Sequence, residues 1–170
     1  MNMRNLARYG TRATLCCVAA FALLACSQKA VGPGSAQLTS GGGAPATPGS
    51  KRDFAQNVGD IVYFTTDSTD LSPEGRTTLT KQVRWLNQHT KYTISIEGHA
   101  DERGTREYNI ALGARRATTV RTFLSRSGVD PRRVRTVSFG KERPVAVCND
   151  ISCWSQNRRA QTVLNNRAGS

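Results

Sequence analysis

The chain has 170 residues, and its 24 Lys or Arg against 12 Asp or Glu give a formal net charge of +12 at pH 7. The N-terminal third has almost no core-forming pattern, so about 115 residues remain to fold, which suits one domain and excludes several. The positive charge favours a polyanionic partner in general. Aromatic residues are sparse, however, and do not alternate with the C-terminal arginines as in single-strand nucleic-acid binders. We expect a solvated face formed by Arg132, Arg133, Arg135, Arg158 and Arg159.

Residues 1–25 have the pattern of an export signal. Three arginines, the last at Arg12, precede an apolar run from Leu15 to Ala25, which is too short to span a bilayer. The run ends in Leu-Leu-Ala-Cys, which resembles the lipobox of lipoprotein precursors and predicts that Cys26 is lipidated. The alternative is an ordinary signal peptide cut near Ala30. Export removes three arginines, leaves 21 bases and 12 acids, a net charge of +9, and argues against a nucleic-acid partner.

Residues 26–52 are rich in Gly, Ser, Ala and Pro. Such a segment buries too little apolar surface to order itself, so we predict a flexible linker there and a folded domain over 53–170. The first strand is predicted at Ile61 to Phe64. A helix follows, with Ser72 as its N-cap and Pro73 at its first position, and buries Leu79, Val83 and Leu86.

The second strand and second helix are predicted from two different periodicities. Tyr92, Ile94 and Ile96 alternate with polar residues, which predicts a strand with one buried face. Thr105 caps the next helix and Gly128 ends it. The predicted buried side of that helix consists of Asn109, Leu112, Arg116, Val120 and Phe123.

Two further strands are predicted at Val134 to Phe139 and at Arg159 to Leu164, with a loop between them. Helices that alternate with strands predict an α/β (α+β) two-layer sandwich. Within it, Arg116 occupies a buried helix face. A guanidinium stays charged, so Arg116 needs an anion from the protein or from a ligand, and Asp101 is the nearest candidate in sequence.

Several spaced blocks of this sequence resemble the OmpA-like peptidoglycan-binding domain family. The central block contains Gly98, Asp101, Gly104, Asn109, Leu112, Arg116 and Ala117, and further matches lie at 63–75, 128–134, 138–144 and 156–160. The resemblance covers roughly residues 53–165. It implies a βαβαββ domain with a mixed sheet and helices on one face.

The resemblance also implies a ligand and a set of binding residues. Wall peptides carry meso-diaminopimelate, whose far end has an ammonium and a carboxylate on one carbon; Asp101 would bind the ammonium and Arg116 the carboxylate. The family places five further residues around the peptide: Thr66, Asp67, Arg103, Asn109 and Leu112. Thr66 stands where the family usually has an aromatic residue.

Within the family, the lipoprotein branch implies a location and partners. Because no Asp follows Cys26, sorting to the outer membrane is implied, with a lipid anchor on its periplasmic face. The expected partners are peptidoglycan and the Tol proteins, above all TolB. The resemblance implies recognition without bond breaking, so we expect no enzyme activity, no cofactor and no metal.

Two other functions remain as alternatives, a metal-dependent cell-wall hydrolase and a generic basic module that binds polyanions. His99, Asp101 and Glu102 are close in sequence and could serve a hydrolase, but His89 is the only other histidine and no HExxH motif exists. We expect both histidines to lie exposed in loops.

The cysteines predict one disulfide. Cys16 and Cys17 belong to the signal and Cys26 to the lipid anchor, which leaves Cys148 and Cys153 as a pair in an oxidising compartment. Metal binding by this pair is the alternative.

Overall fold

The computed structural model describes residues 45–166, which contain a four-stranded mixed sheet. Its strands are β1 (Ile61–Tyr63), β2 (Tyr92–His99), β3 (Val134–Gly140) and β4 (Arg159–Asn166), in the order β1-β4-β2-β3. β2 runs parallel to β3 and antiparallel to β4, and β1 is antiparallel to β4. The helices are α1 (Lys51–Asp53), α2 (Pro73–Gln88), α3 (Arg106–Arg126) and α4 (Ile151–Asn157). This arrangement confirms the predicted two-layer α/β sandwich.

The two long helices begin and end where the sequence predicts. Ser72 Oγ accepts the Gly75 N–H at 3.1 Å at the start of α2, and Thr105 Oγ1 accepts the Tyr108 N–H at 3.2 Å at the start of α3. After α3 the chain turns at Gly128, whose φ of 100° favours glycine. Ser72 and Thr105 therefore fix where α2 and α3 begin.

A single core lies between the helices and the sheet. Leu79 and Leu86 of α2 and Ile94 and Ile96 of β2 are fully buried, as predicted. On α3 the predicted face is also buried, although Phe123 is only partly so. Among residues 45–166, no helix is both long enough and apolar enough to cross a membrane.

β2 is more buried than the predicted half-buried strand. Ser95, on its supposedly polar side, is 4% exposed. Its hydroxyl oxygen accepts hydrogen bonds from Arg135 Nε at 2.6 Å and Asn165 Nδ2 at 3.0 Å. β2 lies between β3 and β4, so polar side chains from both neighbours cover its second face, which residue alternation alone does not reveal.

Two short helical segments were not predicted. Helix α1 continues as a π-helical turn at Phe54–Val58, so the first element is a helix, and α4 replaces the predicted loop before the last strand. Helix α1 begins at Lys51, before the predicted domain boundary at residue 53, and residues on both sides of this start contact the core. Asp53 accepts a hydrogen bond from Trp85 Nε1 at 2.9 Å, and the Gly49 carbonyl accepts one from the Tyr92 hydroxyl at 2.9 Å.

Two glycines let α3 pack directly on the sheet. A Cβ atom on Gly98 of β2 would lie 1.9 Å from the carbonyl oxygen of Gly113 in α3, and one on Gly113 would lie 2.5 Å from Ser138 Oγ. Only glycine permits this approach. It brings the first two turns of α3 against the end of β2, where the loop with Asp101 begins.

Candidate ligand-binding site

All seven residues that the sequence predicts around a ligand line one cavity of about 350 Å³. The cavity lies between the loop after β1, the loop after β2 and the first turns of α3. Its lining consists of Thr66, Asp67, Asp101, Arg103, Gly104, Tyr108, Asn109, Leu112 and Arg116.

Arg116 is the largest fully buried side chain in the described part of the chain, and backbone carbonyls hold it in place. Nε donates to Ser68 O at 2.9 Å, Nη1 to His99 O at 2.7 Å and Nη2 to Thr65 O at 3.2 Å. The guanidinium also lies 5.2 Å from the centroid of the Phe64 ring. Arg116 therefore joins the loop after β1 to the end of β2.

Of the two anions that the sequence leaves open for Arg116, the structure does not supply the protein carboxylate Asp101. None of the ion pairs found within residues 45–166 includes Arg116. Burial lowers the pKa of Arg116 to about 10, although the negative charge of Asp101 acts in the opposite direction. The side chain is thus a fixed cation at pH 7 without a carboxylate in direct contact, and carbonyl oxygens accept from three of its five N–H groups.

Asp101 is 7% exposed and binds two other arginines. Arg103 Nη2 donates to Oδ2 at 2.7 Å, and Arg158 Nη1 donates to the same oxygen at 3.2 Å. Burial by itself would raise the pKa of Asp101, but the hydrogen bonds from Arg103 and Arg158 outweigh it and hold the pKa below its usual value. Asp101 is therefore an anion at neutral pH.

The rim of the cavity combines an aromatic ring with a second carboxylate. The Tyr108 hydroxyl donates a hydrogen bond to Asp67, which raises the pKa of Tyr108. Asp67 has a φ of 54°, in the left-handed region. Asn109 Nδ2 donates to the Arg103 carbonyl at 2.7 Å and anchors the loop after β2. Although Thr66 replaces an aromatic residue, Tyr108 thus supplies a ring to the cavity.

Sequence reasoning missed three residues at this site. Tyr108 was overlooked because it lies off the buried face of α3, and an aromatic side chain beside a helix N-cap was the available signal. Trp154 is not identified because the sequence predicts a loop before β4, and Arg158 is predicted on a solvated face and not beside Asp101. Asp150, whose side chain accepts the Ser152 N–H at 2.7 Å, is an N-cap that could have revealed α4.

His99 does not form a catalytic group with Asp101 and Glu102. Its ring is 2% exposed, stacks on Phe139 at 5.6 Å, and has no hydrogen-bond partner for either nitrogen among the described residues. Burial, with the charges of Arg159 and Arg143, lowers the pKa of His99 to about 4.

The prediction of two exposed histidines is therefore wrong. His89 is half-buried at the end of α2, where its ring stacks on Trp85 at a centroid distance of 4.1 Å. Both rings are held by packing against aromatic neighbours, which a search for catalytic motifs does not detect.

The structure joins Cys148 and Cys153 in a disulfide with a Cα–Cα distance of 5.7 Å. Within residues 45–166 they form, with Asp150, the one group of three potential metal ligands. Because the two sulfurs bind each other, they are not available as thiolates for a metal. Cys26 and the signal residues lie outside the described residues.

The predicted solvated arginine face is correct for only two of its five residues. Arg132 and Arg135 are exposed, whereas Arg133, Arg158 and Arg159 are buried. Arg133 donates to the carbonyls of Leu86, His89 and Tyr92. Most of these cations are therefore structural and contribute little to a general polyanion surface.

The fold and the cavity are those of a ligand-binding domain with opposite charges in one loop-lined site. The sequence pattern of the OmpA family matches residues 63–165, and the chain belongs to this family. The chain is 55% identical over 163 residues to the peptidoglycan-associated lipoprotein of Agrobacterium fabrum (strain C58), covering 95% of this chain and 91% of the relative. It is 56% identical to the protein of the same name from Mesorhizobium japonicum, covering 90% of each.

Solved structures agree with this assignment. The crystal structure of the peptidoglycan-associated lipoprotein from Burkholderia pseudomallei is similar, with a TM-score of 0.61 and 43% identity over 62% of this chain and 90% of that one. The C-terminal domain of Helicobacter pylori MotB shares the fold at 20% identity, with a TM-score of 0.59 over 64% of this chain and 86% of that one.

Proposed function

We propose that this protein is an outer-membrane lipoprotein that binds peptidoglycan non-covalently through the diaminopimelate of the stem peptide. It tethers the outer membrane to the cell wall as part of the Tol-Pal system, in envelope integrity and cell division. The observation that carries the proposal is the placement of Asp101 and Arg116 on one cavity with the five other predicted residues. The names of the similar lipoproteins support peptidoglycan as the partner.

The two charges suit a zwitterion. A guanidinium has five N–H groups. Three of those on Arg116 donate to carbonyls, which leaves one on each Nη for the carboxylate of the diaminopimelate. Since Arg116 is rigidly held and lacks an ion pair with the described carboxylates, the ligand carboxylate supplies the missing counterion. Asp101 binds the ammonium, and Leu112 and Tyr108 contact the aliphatic part of the ligand.

The proposed location and partners rest on the family resemblance. Cys26 carries the lipid anchor in the outer membrane, with the domain on the periplasmic side. The partners are peptidoglycan and the Tol proteins, with TolB competing for a surface that overlaps the wall-binding site. Binding involves no catalysis and no cofactor. Co-precipitation of TolB in the presence of increasing stem peptide tests the competition, which a constant TolB signal would exclude.

The proposal is tested by pull-down of the purified protein with intact cell-wall sacculi. We expect Asp101→Asn and Arg116→Lys each to lower binding about tenfold or more, because each removes a charge-assisted hydrogen bond to the ligand. Asp130 and Arg132 are a carboxylate and a guanidinium in an exposed turn elsewhere on the domain. Asp130→Asn and Arg132→Lys are therefore matched controls, and both should bind normally.

Arg116→Lys also removes bonds inside the protein, so thermal unfolding must show that each variant is folded. If both variants are folded and bind sacculi normally, Asp101 and Arg116 do not belong to the binding site.

A further inference from the structure

The carboxylate of Asp101 accepts four hydrogen bonds from the protein itself. Two carboxylate oxygens accept about four hydrogen bonds in all. Oδ1 accepts from the backbone N–H and Nε of Arg103 at 3.3 and 3.2 Å. Oδ2 accepts from Arg103 Nη2 at 2.7 Å and Arg158 Nη1 at 3.2 Å. A ligand ammonium can therefore bind Asp101 only after one arginine withdraws.

Arg103 is the arginine that can withdraw. The Arg158 side chain is 8% exposed, and its Nε also donates to the Phe64 carbonyl at 3.2 Å, so it is held on two sides. The Arg103 side chain is 41% exposed and extends along the cavity rim. An exposed side chain can exchange its bond to Asp101 for solvent at small cost.

Trp154 holds Arg103 in this position. The guanidinium carbon of Arg103 lies 4.2 Å from the centroid of the Trp154 ring, a distance that gives a cation–π contact. The indole N–H of Trp154 in turn donates to the carboxylate of Glu102. Trp154 belongs to α4, and its neighbour Cys153 is bound to Cys148. The indole thus fixes the plane of Arg103 against Asp101.

A second turn in the same domain has the same hydrogen bonds but lacks the other features of the turn at Asp101. Arg132 donates to Asp130 through its backbone N–H, Nε and Nη2, as Arg103 does to Asp101. The Arg132 side chain is, however, 90% exposed and far more open to solvent than Arg103. Only the turn at Asp101 adds an aromatic platform and a cavity.

We propose that Arg103, positioned by Trp154, occupies the ammonium position on Asp101 in the ligand-free site, so that binding exchanges one cation for another. This inference rests on the proposed function and adds Trp154 to it as a positioning residue. Asp101 stays paired before and after binding, so a ligand without a cationic amine suffers little penalty. The exchange therefore reduces the preference of the wild-type protein for a ligand with a free amine. Removal of Arg103 increases that preference.

Two peptides isolate this effect. One is the stem tripeptide L-alanyl-γ-D-glutamyl-meso-diaminopimelate, and the other is the same peptide acetylated on its terminal amine. Both keep the carboxylate that faces Arg116, so any contact of Arg103 with that carboxylate cancels in the ratio of the two Kd values. The ratio reports only what the amine gains at Asp101.

We expect Arg103→Gln to increase the preference of the purified protein for the free amine about two- to fivefold, the size of a partly exposed ion pair. Trp154→Ala should change the ratio in the same direction, and Trp154→Phe, which keeps a ring under Arg103, should restore the wild-type ratio. Arg132→Gln removes an equal charge at the matched turn and should leave the ratio unchanged.

Fluorescence supplies a second measurement. The free-amine peptide should change the tryptophan emission of the wild-type protein on saturation, and the acetylated peptide should not, because only the free amine displaces Arg103 from Trp154. The other tryptophan, Trp85, is buried in the core and contributes a constant signal. An unchanged ratio in folded Arg103→Gln, with tight binding by the wild-type protein, overturns the exchange alone. Absence of binding to both peptides by the wild-type protein overturns the proposed function and the exchange together.

Discussion

Two buried arginines of this protein are held by hydrogen bonds to backbone carbonyls. Arg116 and Arg133 are both buried and both donate to three backbone carbonyls. A buried guanidinium suits this role because its planar fork joins chain segments that are distant in sequence. The sequence correctly placed Arg116 on a buried helix face. It could not identify the acceptors, since carbonyl groups exist at every residue and have no sequence signature.

His99 makes stability depend on pH. Its folded-state pKa of about 4 lies below the ordinary value of 6.5, so the unfolded chain binds the proton first. Stability should therefore fall as pH falls from 6.5 to 4, by an amount on the order of 2–3 kcal/mol from this residue.

Urea unfolding of wild type and His99→Phe between pH 7 and pH 4 measures this contribution. The variant should lose less stability over that interval, and the difference in the free energy of unfolding between the two proteins should change steadily below pH 6.5. A constant difference across the interval would show that His99 is not the buried neutral base described.

At the level of elements, the sequence predicted the long helices and failed for the short ones. Helices α2 and α3 span four or more turns, so their apolar periodicity and their caps at Ser72 and Thr105 are visible. Helix α4 has seven residues, too few to show a period, and depends on tertiary contacts. The residues of the binding site divide in the same way into those that the sequence predicted and those that it did not. The loop residues of the site were identified by resemblance, whereas Trp154 was missed with α4 and Arg158 was predicted to be solvated.

The disulfide should stabilise α4 and, through it, the position of Arg103. Loop-closure entropy for so small a ring gives roughly 2 kcal/mol. We expect the double variant Cys148→Ser with Cys153→Ser to lose up to that amount in the free energy of unfolding. Wild-type protein measured under reducing conditions should show the same loss. Equal stability of oxidised wild type and the double variant would mean that packing alone holds α4.

For the whole molecule, the proposed function requires an anchor, a tether and a domain that reaches the wall. Because the chain at residues 49–53 contacts the core, the linker predicted from composition is shorter than residues 26–52. A flexible chain of about 20 residues spans roughly 22–27 Å on average. A domain held at that distance from a membrane meets its ligand at high local concentration. The +9 charge that remains after removal of residues 1–25 also favours a wall rich in carboxylates.

The anchor is tested by Cys26→Ser in cells. We expect the variant to leave the outer-membrane fraction, because stable attachment requires more than one acyl chain and this cysteine is their proposed site. The unprocessed or soluble variant should retain sacculus binding, since all seven predicted binding residues lie within the described domain. If the variant stays in the outer-membrane fraction after the peptidoglycan has been digested, lipidation at Cys26 is excluded.

The central claim is that Asp101 and Arg116 together recognise both charges of diaminopimelate. Calorimetric titration of the purified protein with the diaminopimelate stem peptide and with its lysine analogue, which has the ammonium but lacks the terminal carboxylate, tests it most directly. Because the carboxylate forms charge-assisted bonds with Arg116, we predict that the diaminopimelate peptide binds about ten- to a hundredfold more tightly. Equal affinity for the two peptides would contradict the account.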